Sequence, residues 1–303
     1  MSAIANADAP APTPPAAETP TDSAAPIPGT PPTKRTPRSP TTTLRFAGIL
    51  RSEWIKLRSL RSTYWSFGIV FVLQIAFGLI IAAAVTGSGS GVGSPGSVGI
   101  DLAVTAATLG TVSAQLVISI QAVLFMAGEF STGQILSSFA AVPQRLPVLW
   151  AKVVVFGSVT LVASFAGVVA TFLVAAPILT DAGYQVDVAS GELWLRLLGG
   201  AGYLAFIGII SLGIGAVSRV PAGGIAVTLG VLLVLPSVPL VLGGGLATDL
   251  ISWLPGLAGQ ELYFWGASPV PSPFEPWQAL VVMCGWATLS LAAAAVSITR
   301  RDA

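Results

Sequence analysis

The chain contains no histidine. That removes the commonest general base and the commonest metal ligand. It has one cysteine, Cys284, set inside an apolar run. One thiol makes no intrachain disulfide, and no cysteine cluster is present to hold zinc. Its plain reading is a small core or lipid-facing residue. Charge is also scarce: 9% of the 303 residues are charged and 53% are hydrophobic, whereas a soluble domain carries roughly 25% charged residues. The mean hydropathy is +0.82. Most of the chain is therefore not built to face water. The net charge of +1 supplies no field that would recruit nucleic acid. No Gly-x-x-x-x-Gly-Lys-Ser/Thr loop occurs, so the chain has no phosphate-binding loop of that kind. Nucleophile–base pairs, paired carboxylates and metal sets are missing too, and an enzyme is not expected. No charged residue lies well inside an apolar run, and no internal repeat is visible; both weigh against a coupled secondary transporter.

What is present falls into three parts. Residues 1–41 are rich in Pro, Ala and Thr, with too little apolar surface to offset the entropy of ordering, and are expected to be a disordered tail. They do not read as a signal peptide, because no apolar segment follows a basic start. Residues 42–62 carry Phe46, Ile49, Leu50, Trp54, Leu57 and Leu60 at helical spacing, a stripe that continues to Tyr64. Arg45, Arg51, Lys56, Arg58 and Arg61 lie mostly off it. A basic amphipathic helix ahead of an apolar run predicts an interfacial helix on an anionic leaflet, with Arg51, Trp54, Lys56, Arg58 and Arg61 as its membrane-contacting residues. Residues 63–303 hold six apolar stretches near the roughly 20 residues a bilayer requires: about 65–85, 103–127, 153–176, 195–217, 222–242 and 277–298. The expected fold class is an all-α membrane protein with six transmembrane helices.

Charge asymmetry sets the expected orientation. With the N-terminus in the cytoplasm, 13 of the 14 Lys and Arg fall on the inner side, and seven acids fall outside: Asp101, Asp181, Asp187, Glu192, Asp249, Glu261 and Glu275. Both termini are then cytoplasmic and the protein is multi-pass in the plasma membrane. Arg196 is the exception. Glu192, four residues before it, offers a helical pairing, and its long stem can snorkel outward. The outer stretch "TDLISWLPGL" opens with a cap signal and continues with apolar residues, predicting a short interfacial or re-entrant helix over 248–257. Pro236 and Pro239 predict a kink in the fifth span.

The second span carries a polar stripe that includes Thr105, Thr108, Gln115 and Ser119. Two readings stay open: helix–helix hydrogen bonding, or the lining of a substrate path by Thr108, Gln115 and Ser119. Gln74 and Gln121 are further amides within spans. After the second span comes "GEFSTGQILSSFAAVPQRLPVLWAK", too polar to cross a bilayer. Glu129, Ser131 and Thr132 suit the N-terminus of a short cytoplasmic helix, where free amides and the helix dipole favour such side chains. Pro143 ends that helix, Pro147 starts the next segment, and Arg145 and Lys152 anchor the re-entry to headgroups. An ordinary interfacial connector fits these residues as well.

Together, "EWIKLRSLRSTYW" before the first span and "GEFSTGQILSSFAAVPQRLPVLWAK" after the second resemble permease subunits of ATP-binding-cassette type 2 exporters, in the form common in actinobacteria. The likeness covers about residues 44–301 and leaves the tail outside. It implies that the loop 128–152 holds a coupling helix docking on a separate ATPase subunit. Glu129, Phe130, Ser131, Thr132, Gln134, Ile135 and Arg145 would make that contact, and the helix around 44–61 would match the family's connecting helix. Gln134 departs from the Met or Thr of many relatives. The resemblance further implies ATP and magnesium in the partner rather than in this chain, and a homodimer or heterodimer of permease chains in the bilayer. A gradient-driven transporter relying on Gln115 and a non-transport membrane scaffold are the alternatives.

Overall fold

Hydrocarbon offers no partner to a backbone amide or carbonyl, so an apolar run that crosses it must satisfy its own hydrogen bonds as a helix. The structure, a computed structural model, describes residues 46–87, 99–135, 145–242, 250–265 and 273–300. The Pro-rich tail, Thr248 and Asp249, and the stretch with Pro143 lie outside these residues. The described residues are helical, with no strand among them. Helix α1 spans Phe46–Ser59, α2 Arg61–Gly87, α3 Gly99–Thr108, α4 Gly110–Ser131, α5 Arg145–Asp181 and α6 Gly191–Ser218. After them come α7 (Pro221–Leu229), a π-helical turn (Gly230–Val234), α8 (Leu235–Leu242), α9 (Pro255–Ala258), α10 (Glu261–Phe264) and α11 (Pro276–Arg300).

Six of these units are long and apolar enough to cross a membrane: α2, α3 with α4, α5, α6, α7 with its continuation, and α11. Each overlaps one of the six stretches expected from sequence. The helices run past the apolar cores at most ends. Pro177, expected in a connector, lies inside α5, which continues to Asp181. In the fifth span the irregularity precedes the prolines: Leu235 N–H donates to Gly230 O, a five-residue step. A π turn beside Pro236 accommodates a carbonyl that the imino acid cannot satisfy.

Helix α6 is the hub. Within its most apolar window 61% of residues are buried, against 17% for the fifth span. It packs on α3, α4, α5, α7, α10 and α11. Its glycines permit this. A Cβ on Gly199 would overlap the Leu262 backbone carbonyl, so only glycine lets α10 approach α6 this closely. The core around Ile118, Phe156, Tyr203 and Met283 is continuous from one end of the bundle toward the other, and Phe125 stacks on Phe156 at 5.7 Å. By contrast α2, α7 and α11 expose Trp65, Val72, Val227 and Val281, the apolar exterior expected of a protein solvated by lipid.

Residues 250–265 form a broken segment rather than one helix. It includes α9 and α10 and is largely buried. The hydroxyl oxygen of Tyr203, near the middle of α6, lies 3.3 Å from Gly256 O. The segment therefore dips into the bundle and does not lie flat on its end. Irregular backbone at such depth is tolerated where protein surrounds it.

Candidate functional site

One end of the bundle gathers α1, the end of α4, the start of α5 and the end of α11. Helix α1 buries Ile49, Glu53 and Leu57, one residue per turn along a single stripe. Two of these are apolar and pack as expected. The third is a carboxylate, and its burial requires a partner. Lys152, in the second turn of α5 and wholly buried, supplies it: Nζ donates to Glu53 Oε2 at 2.6 Å and to Glu129 Oε1 at 2.7 Å. The ammonium also stands 4.3 Å over the Phe125 ring, an arrangement that adds cation–π attraction in a desolvated site. Lys56 closes the ring. Its Nζ donates to Glu53 Oε1 at 2.8 Å and to Glu129 Oε1 at 3.1 Å. Two lysines and two carboxylates thus form a neutral, largely buried quartet that fastens α1 to the second and third spans. Burial alone would lower the Lys56 pKa. The hydrogen bond to Glu53 and the charges of Glu129 and Glu53 outweigh it, and the pKa stands above its ordinary 10.5. Glu129 Oε2 is buried without a hydrogen-bond partner.

This geometry corrects the reading of Glu129 as the first residue of a connector helix. Helix α4 runs on through Ser131, so Glu129 sits in the last turn of a span. Ser131 and Thr132 stand at the end of α4. Their hydroxyls donate back to Gly128 O at 3.0 and 2.9 Å. Gly133, at φ 73°, takes the left-handed conformation that ends α4. Lys152 is likewise corrected: it turns into the protein and does not reach a headgroup. Lys56 turns partly inward, while Arg51, Trp54, Arg58 and Arg61 stay exposed.

Around the quartet lie the other residues expected to couple. Ser131, Thr132 and Gln134 are exposed, and Ile135 is buried. Phe130 lies 5.2 Å beneath the Arg219 guanidinium. Arg219 Nη2 donates to Ser297 O at 2.8 Å, and Arg145 Nη1 donates to Ile298 O at 3.0 Å. Two arginines from different connectors therefore hold carbonyls in the last turns of α11, where cations offset the helix dipole. Arg145 is engaged inside the chain. Residues 136–144 lie outside the described residues.

At the opposite end Arg196 is the counterpart. It does not snorkel outward. Only 2% exposed, it turns inward and donates from Nε to Tyr263 O at 2.9 Å and from Nη2 to Phe264 O at 2.6 Å. Nη1 meets Asp101 Oδ1 at 2.6 Å and Glu192 Oε1 at 3.3 Å. The expected Glu192 pairing exists, but it is the longer of the two. Arg196 thereby ties α3 and α6 to the re-entrant segment.

Between the ends, the polar stripe of the second span makes hydrogen bonds within the bundle. Tyr203 donates to Gln115 Oε1. Thr111 Oγ1 donates to the Tyr263 hydroxyl at 3.3 Å. Thr108 and Ser119 donate to carbonyls of their own helix, Val104 O and Leu116 O. Thr108, Gln115 and Ser119 are all buried against neighbouring helices of the same chain. Their hydrogen bonds lie within the chain, and that of Gln115 supplies a helix–helix contact of the first reading. Gln121 donates to Thr63 Oγ1 and accepts from Ser66. Gln74 alone of these amides is buried without a partner.

No family model matches the chain, and no curated protein matches it. Its six candidate spans are compatible with an integral membrane protein. Among the described residues no group of His, Cys, Asp and Glu could hold a metal ion. Sequence reasoning missed Glu53. Its signal was available: Ile49, Glu53 and Leu57 share one face at four-residue steps, and a carboxylate on an apolar face needs a buried cation.

Proposed function

We propose that this chain is the membrane-spanning permease subunit of an ATP-binding-cassette exporter, driven by a separate ATPase subunit that binds ATP and magnesium. The observation that carries the reading is the quartet of Glu53, Lys56, Glu129 and Lys152. It joins the amphipathic helix to the ends of the second and third spans as one body. Beside it, Ser131, Thr132 and Gln134 remain exposed. A motor without covalent attachment needs such a place: an exposed contact backed by a rigid link to the spans. The resemblance of the two flanking stretches to type 2 export permeases supports the same reading. So does the charge asymmetry that puts this end of the bundle in the cytoplasm of a plasma-membrane protein with both termini inside.

In this mechanism two permease chains, identical or not, form a twelve-span unit above two ATPases. Closure of the ATPase pair displaces the turn after α4. The quartet transmits that displacement to α1 and α5 together, and the path between the chains opens outward. Gradient-driven transport relied on Gln115 as an intramembrane polar site, and that amide is already bonded to Tyr203.

The test is copurification from solubilised native membranes, with ATPase activity assayed in the eluate. The wild-type chain should carry ATPase activity. Ser131→Arg, at an exposed position, should lose it while the chain keeps its abundance and thermal midpoint. Glu129→Lys is the wrong probe for docking, because it places three lysines around one carboxylate and disrupts the fold itself. Absence of ATPase activity with the wild type would overturn the proposal in favour of a scaffold or a gradient-driven carrier.

A further inference from the structure

We infer that a groove between α6 and α11 is a binding site for a phospholipid with an anionic headgroup. The groove has a volume of about 560 Å³, within the roughly 300–1,000 Å³ of small-molecule sites. One wall is the α11 stripe Leu289, Ala292, Ala293 and Val296, and the other is Val217 near the end of α6. The stripe follows helical spacing, and its two central alanines make the surface concave. From Leu289 to Arg300 the helix rises roughly 16 Å, about half of the ~30 Å hydrocarbon thickness. The groove thus runs the depth of one leaflet, which is the span of one acyl chain.

Its polar end has the complementary chemistry. Arg300 lies at the mouth, exposed and unpaired among the described residues. Arg145 and Arg219 converge on the same helix end through the carbonyls of Ile298 and Ser297. Arg300 is the basic residue of the groove lining, and a guanidinium at the polar margin of an apolar groove fits a phosphodiester or phosphomonoester headgroup. Ser297, which also lines the groove, is 8% exposed, and its hydroxyl is buried with no partner. A buried hydroxyl in hydrocarbon wants an acceptor, and an ester carbonyl or glycerol oxygen below the headgroup supplies one. A second copy of the chain fits less well. Closing the groove with its own mate across a two-fold axis along the membrane normal would set two Arg300 side chains at one level, where they repel.

The full chain is reconstituted in nanodiscs with phosphatidylglycerol or phosphatidylcholine carrying a photoactivatable group in one acyl chain, and the cross-links are mapped by mass spectrometry. Phosphatidylglycerol should label residues 289–300 several-fold more than phosphatidylcholine does. Arg300→Gln should reduce that excess about fivefold, the worth of one basic residue at an anionic surface. Ala293→Phe, which fills the groove, should abolish labelling of the segment by both lipids. Both variants change exposed side chains and should unfold within about 2 °C of the wild type, well below the shift of a core lesion. Equal labelling by the two lipids, or labelling spread evenly over α2 and α7, would overturn the inference. So would full competition by soluble glycerol phosphate, which would mark a phosphate site and not a lipid site. Chain-to-chain disulfide formation by Ala293→Cys in a Cys284→Ser background, with loss of labelling, would assign the groove to a second copy instead.

Discussion

Replacing Lys152 by methionine tests the quartet directly. Methionine keeps most of the volume of a lysine stem and removes the charge. Lys152 is fully buried and holds Glu53 Oε2 at 2.6 Å and Glu129 Oε1 at 2.7 Å. Without it, Lys56 must serve two carboxylates, one through a 2.8 Å contact and one through a 3.1 Å contact. Its side chain is 33% exposed, so water screens part of that attraction. The site is left with one uncompensated negative charge. Removing one member of a buried ion pair costs about 3–5 kcal/mol. At roughly 2–4 °C per kcal/mol for a chain of this order of size, the thermal midpoint in detergent should fall by about 10 °C. The double variant Glu53→Gln with Lys152→Met leaves Glu129 opposite Lys56, a balanced pair. It should recover at least half of the loss, since residues in one network couple by about 0.5–3 kcal/mol. A single variant within about 2 °C of the wild type would refute the reasoning. A double variant no more stable than the sum of its singles would refute it equally.

Other consequences follow from the same structure. Arg196→Leu orphans the Tyr263 and Phe264 carbonyls, and proteolysis within residues 250–265 should accelerate at least tenfold if the loss is the few kcal/mol expected of a buried charge-assisted network. Gly199→Ala drives a Cβ into the Leu262 carbonyl, which belongs to backbone and cannot swing away. The re-entrant segment must shift, and a destabilisation of about 1–3 kcal/mol is expected by chemical unfolding. Lys56 sets a pH signature. Its folded pKa is raised, so its stabilising share is complete below the unfolded value of 10.5 and is lost as pH rises through the higher folded value. The gap in thermal midpoint between wild type and Lys56→Gln should therefore stay constant from about pH 6 to 9 and close only above about 10.5. A gap that closed near neutrality would mean that Lys56 is not held as the structure shows.

The spans were legible in the sequence because one physical requirement, enough apolar residues to cross hydrocarbon, acts along a continuous stretch. The charged residues at the bundle ends were not, because their partners are remote in sequence. Lys152 meets Glu53 across 99 positions and Glu129 across 23. Arg196 reaches carbonyls 67 and 68 positions away, on a short helix whose depth no periodicity announces. Local rules then misassign such residues. A glutamate followed by serine and threonine resembles a helix start, and a lysine at a span end resembles a headgroup anchor. A stricter accounting recovers part of the answer. Glu53 stands on the apolar stripe of α1, Glu129 ends an apolar run, and Lys152 begins one. Six alternating spans put all three at the same end of the bundle. A carboxylate on a buried face must find a cation, and the same end offers Lys56 and Lys152 beside arginines that belong to the lipid surface. Topology plus neutrality therefore brings these residues together before any coordinate does. What it leaves open is which carboxylate oxygen each lysine takes, and that detail decides that the quartet binds three helices as one body.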